Sequence, residues 1–171
     1  MKPTMNNVKK NSKSHEGRAM NHFAQAVLRL VLVLAAFGCA HPAHFATPPG
    51  FVSIEDDAYD FRATNADGVV LGVRAMDNDP EGDLAFWAGA IDRRLRQRYE
   101  AVEVLEVEAA TGTSGIQIRY QTDHGGRLHR YWATIFVHGD RVYLVEAGGD
   151  AEFFDPQVAD VEEAVLSVDL G

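Results

Sequence analysis

Asp123-His124 sets a carboxylate beside an imidazole, the pair a general base would need. Gly125-Gly126 follow at once and predict a hairpin turn, where both side chains meet solvent. His129 and His138 are nine residues apart on one predicted strand. An odd separation sends them to opposite faces, so they cannot chelate one metal without a bulge. His41 and His44 have the composition of a weak metal pair, inside a proline-rich stretch that reads as a linker. Asp77-x-Asp79-x-Glu81-Gly82-Asp83 matches positions 1, 3, 5 and 6 of a calcium loop, but position 12 falls on Ala88, where such a loop needs a bidentate Glu. Arg93, Arg94, Arg96 and Arg98 could form an anion patch, or could simply be the solvated end of a helix. There is no nucleophile elbow, phosphate loop or His-Glu-x-x-His. These residues assign no catalytic group, no metal ligand and no cofactor, and the chain is read as a non-enzyme.

The only cysteine, Cys39, is a different case. A single thiol excludes an internal disulfide framework. Residues 1–38 hold six cations against one acid, and residues 39–171 hold ten arginines, no lysine and 24 acids, for net charges of +5 and -14. Such a split marks two pieces with different fates. The basic start leads into the apolar run Leu30–Phe37 and then Gly38-Cys39-Ala40, the layout of a secretory signal. Eight apolar residues are too few to span a bilayer, which takes about 20. Met20 offers a second start that leaves a signal of ordinary length.

This segment resembles a bacterial lipoprotein signal. Gly38 before Cys39 fits that pattern, and Ala36-Phe37 fit it poorly. The resemblance implies that Cys39 becomes the lipidated first residue, with the membrane as a partner through that lipid. Ala40 after the cysteine implies the outer membrane, with the protein facing the periplasm. The alternative is plain cleavage, giving a secreted or periplasmic soluble protein. The domain expectation is a signal over 1–38, a tether over 39–50 and one folded domain over 51–171.

The elements follow from periodicity. Phe51–Ile54, Tyr59–Ala63 and Val69–Met76 alternate as strands, with Val69, Leu71, Val73 and Ala75 on one face. Leu84, Trp87, Ala88, Ile91 and Leu95 recur at helical spacing, predicting a helix over 83–99. Strands follow over Val102–Ala109, Ile116–Gln121, Leu128–His138 and Val142–Ala147, the last ended by Gly148-Gly149. Leu128–His138 is apolar at both parities, so both its sides are covered. Asp155 reads as an N-cap and Pro156 as the first residue of a helix over 156–168. Short turns make consecutive strands antiparallel neighbours. The expected fold is α+β, an antiparallel sheet of about five to seven strands packed against two helices.

The opening Pro-Pro-Gly-Phe51, the mid-chain helix, the meander ending in Val-Tyr-Leu-Val-Glu-Ala147 and the closing Phe153-Phe154 … Glu162-Glu-Ala-Val-Leu-Ser167 helix resemble the PsbP/DcrB-like fold of small envelope and lumenal proteins. That resemblance implies a non-enzymatic binding or assembly role and carries over no catalytic residue. A cystatin-like or NTF2-like cone is the alternative fold. The acidic domain argues against nucleic acid as a partner, because phosphate neutralisation needs a basic face. The expected function is a lipid-anchored envelope protein that binds an unidentified envelope protein. The alternatives are a carrier for a small apolar ligand in a cavity between sheet and helix, or a hydrolase on an NTF2-like cone.

Overall fold

In the computed structural model, residues 42–171 are described. The proposed signal over 1–38, Cys39 and His41 lie outside them. Seven strands form one antiparallel sheet: β1 (Phe51–Ser53), β2 (Phe61–Asn65), β3 (Val70–Asp77), β4 (Glu100–Glu108), β5 (Ser114–His124), β6 (Arg127–His138) and β7 (Arg141–Asp150). Their spatial order is β1-β2-β3-β7-β6-β5-β4, so β7 inserts beside β3 and puts the last hairpin in the centre. Helix α1 (Leu84–Leu95) covers one face. The opposite face is covered by α2 (Ala151–Phe154), a 3-10 turn (Asp155–Gln157) and α3 (Val158–Leu166). The α+β expectation holds.

The hairpins form where glycine permits a positive φ. Gly125 and Gly126 take φ of +64° and +81° between β5 and β6, the pair of values a two-residue turn of matching twist requires. The alternation read from Val69 places Val69, Leu71 and Val73 in the core under α3, each at most 1% exposed. β6 and β7 are buried on both faces over Trp132–Phe136 and Val142–Gly149.

Four expectations need correcting. The first helix ends at Leu95, and the chain then turns through Arg98, so Tyr99 leads into β4 instead of closing the helix. The C-terminal helical segment begins at Ala151, and Pro156 sits inside its 3-10 turn. Asp155 does not cap it; its carboxylate takes two hydrogen bonds from Arg130, at 2.9 and 3.0 Å. Gly148 and Gly149 remain within β7. A Cβ on Gly148 would come 3.1 Å from the Arg130 carbonyl, so this residue is glycine for close approach and not to end the strand. The distal part of the expected tether is packed: Ala43 and Phe45 are each 2% exposed in the core, and His44 bridges Asp169 through both backbone groups.

Candidate functional site

One twelve-residue helix cannot cover its whole face of a seven-stranded sheet. Beyond the contacts of α1 a cleft of about 570 Å³ remains between helix and sheet. Arg74 and Met76 of β3, Leu144 and Glu146 of β7 and Tyr131 of β6 form its floor. Strand parity puts them there: Gly72, Arg74 and Met76 share a face, and in register they lie beside Leu144 and Glu146. The helix supplies the roof with Trp87, Ala90, Ile91, Arg94 and Leu95, and Arg98 and Tyr99 follow at its end. Asp83 caps α1 by accepting from Phe86 N at 2.8 Å, which fixes where the stripe begins. Asn78 Oδ1 accepts from Gly82 N at 2.9 Å and from Trp87 Nε1 at 2.6 Å, tying the preceding loop to the roof.

A polar group lies in this floor beside Met76 and Leu144. Glu146 is 9% exposed. Tyr131 donates its hydroxyl to Glu146, and Arg74 Nη2 lies 2.7 Å from Glu146 Oε2. Oε2 and Arg74 Nε are buried without a hydrogen bond of good geometry. Burial, reinforced by the Glu146 charge, holds the Tyr131 hydroxyl far above its ordinary value. Tyr59 is raised for the same two reasons, burial first. Its ring lies over Gly72, where a Cβ would come within 2.6 Å, and carries the Arg62 and Arg74 guanidinium groups at 5.1 and 5.3 Å.

Tyr99 stacks on Tyr131 with centroids 4.9 Å apart and planes 12° from parallel. Beyond this pair a second hollow of about 330 Å³ contains Thr122, His124 and His129. Diagonal positions on β5 and β6 bring the two imidazoles to 5.7 Å between centroids. His129 Nδ1 lies 2.8 Å from Asp150 Oδ1, opposite it in register. Asp123 is not part of this group; it accepts from Gly126 N at 3.1 Å within the turn. His138 pairs in register with Arg141 at the other end of β6. Among the described residues no three His, Cys, Asp or Glu side chains converge as a metal site. In the acidic loop, Asp77 pairs with Arg141 at 3.2 Å and Asp83 serves as the helix cap.

Tyr131 and Trp132 are neighbours in the sequence and project to opposite faces of β6. The structure separates them: Tyr131 lines the cleft, and Trp132 packs edge-on against Phe154 on the opposite face at 5.1 Å. Sequence reasoning missed Glu146. Its signal was a lone carboxylate in the run Val-Tyr-Leu-Val-Glu-Ala147, in a strand apolar at both parities.

No family model matches this chain, and no curated protein sequence does. Solved structures are similar to it in fold. LpqN, involved in cell envelope biogenesis of Mycobacterium tuberculosis, superposes with a TM-score of 0.60 at 10% identity, over 74% of this chain and 81% of its own. Cyanobacterial PsbP from Synechocystis gives 0.58 at 10% identity, over 78% of this chain and 89% of its own. PA94 of Pseudomonas aeruginosa, a protein of unknown function, gives 0.51 at 7% identity, over 77% and 85%. The chain shares its fold with PsbP and LpqN.

Proposed function

We propose that this protein is a non-catalytic binding module of the bacterial cell envelope, exported by residues 1–38 and held at the membrane through lipid on Cys39. The observation that carries the binding role is the cleft under α1, which is concave and combines an apolar wall with several fixed polar groups. Its polar groups are arranged to hold shape. Tyr131 is kept protonated by burial and donates to Glu146, and Glu146 in turn faces Arg74, which disfavours a phenolate nucleophile. The fold shared with LpqN, a protein involved in cell envelope biogenesis, supports the location, as does the signal pattern before Cys39. The cleft equally supports the carrier reading, in which the bound species is a small molecule and not another protein.

Mass spectrometry of the chain purified from bacterial membranes tests both parts. A processed, acylated N-terminus at Cys39 is expected, with accumulation of the unprocessed form under a lipoprotein signal peptidase inhibitor. An unmodified N-terminus removes the anchor and leaves a secreted binding protein. A co-purifying small-molecule mass that disappears in Ala90→Trp, which fills the cleft, supports the carrier. A crosslinked polypeptide lost in the same variant supports protein assembly.

A further inference from the structure

We infer that the cleft under α1 binds a small amphipathic organic anion, with its apolar portion against Trp87, Leu95 and Leu144 and its carboxylate or phosphate at Arg94 and Arg98. This rests on the cleft being a binding site and adds the chemical class of what it takes.

The arginines carry the charge argument. Ten lie in residues 42–171, together with 24 acids. All except Arg93, Arg94 and Arg98 have a carboxylate within ion-pair distance. Two of these three, Arg94 and Arg98, line the cleft. Arg94 stands in the last turn of α1 and Arg98 in the turn that follows it, four residues on. The helix dipole favours a cation at this end, and Arg93 meets that need without facing the cleft. In a domain with more than two acids for every arginine, a cationic pair beside a cavity with no carboxylate partner among the described residues is placed for an anion from outside. Glu146 does not cancel it, because Arg74 at 2.7 Å already opposes that charge.

The walls define the rest of the ligand. The Trp87 indole N–H is satisfied by Asn78 at 2.6 Å, so the ring offers the cleft only apolar surface. Leu95 and Leu144 extend that surface from roof and floor. A volume of about 570 Å³ lies within the range of small-molecule sites. The complementary molecule is apolar over most of its length and anionic at one end.

The purified full-length chain has two tryptophans, one in the cleft and one 3% exposed on the opposite face, so its emission reports occupancy through Trp87. Laurate, dodecyl phosphate, dodecyltrimethylammonium and dodecyl maltoside, each below its micelle concentration, share one tail and differ in head group. The expected result is saturable binding of both anions, at least tenfold tighter than the other two. R94A/R98A should weaken the anions at least tenfold while leaving the maltoside unchanged, and R94K/R98K should retain most of the preference. Equal affinity for all four heads, with binding abolished by Ala90→Trp, overturns the anion and leaves the cleft as a binding site. No response to any probe overturns both. A response to phosphatidylglycerol vesicles alone overturns the small ligand in favour of membrane contact.

Discussion

Under α2 and α3, Trp132, Phe136, Val145 and Phe154 close over one another, and Val161, Val165 and Val168 complete the layer with 0% exposure each. Under α1 the same sheet presents Tyr59, Tyr131, Glu146 and Arg74, and leaves an open cleft beside the helix. Both surfaces belong to the same strands, and alternate residues of β6 and β7 serve each in turn. A well-packed face supplies cohesion without specificity. A face with a half-buried ion pair and a void gives up packing, and in exchange presents the shape and chemistry a ligand would need. On the proposed reading the two faces divide the work of folding and of recognition.

Substitutions can break or sharpen that division. Phe154→Ala on the closed face should cost about 3–5 kcal/mol, read by chemical denaturation, because a fully buried ring leaves a cavity. On the open face, Glu146→Ala should cost about 1–3 kcal/mol by leaving Tyr131 without its acceptor, with the partly exposed Arg74 rescued by solvent. A Glu146→Leu, Arg74→Met double variant should regain most of that loss and still bind less ligand, which would separate stability from recognition.

Alkaline unfolding probes the same contrast. Burial raises Tyr131, Tyr120 and Tyr59 on the open face and Tyr143 on the closed one. A raised group contributes fully below its unfolded value of about 10 and loses that contribution as pH rises through its folded value. Stability measured by denaturant melts should therefore fall above about pH 10, and Tyr131→Phe should reduce the slope there by up to about 1.4 kcal/mol per pH unit. Tyr143→Phe should reduce it less. Asp83→Ala, removing the cap of α1, should cost about 1 kcal/mol and loosen the roof of the cleft. Arg94→Ala should change melting within about 0.5 kcal/mol while weakening anion binding, the smallest effect on stability in this series.

Much of the scaffold was legible in the chain. Val69, Leu71 and Val73 announced a half-buried strand, Asp83 began a helix, and Gly125-Gly126 closed a hairpin, because each is decided by local backbone preference and period. The errors have a common cause in tertiary contacts that local preference cannot see. Pro156 looks like a helix start, yet Phe154 is buried two residues earlier, at the end of a helical segment that begins at Ala151. Gly148-Gly149 look like a terminator, yet Tyr131 lies within 3.4 Å of where a Gly148 Cβ would stand. The cleft was the least legible part. Arg74, Glu146, Tyr131 and Arg98 come from separate elements, and only the insertion of β7 beside β3 brings the first two to 2.7 Å.

The burial of Ala43 and Phe45 has a geometric consequence for a protein attached at Cys39. The leash is what remains between the two, and four residues reach at most about 14 Å in any conformation. Phe45 docks edge-on against Phe61 at 4.9 Å, within the core cluster that lies under α3. A lipid at Cys39 would therefore keep Ala43, the first buried residue of the described core, within that short reach of its attachment point, with no long spacer between anchor and fold.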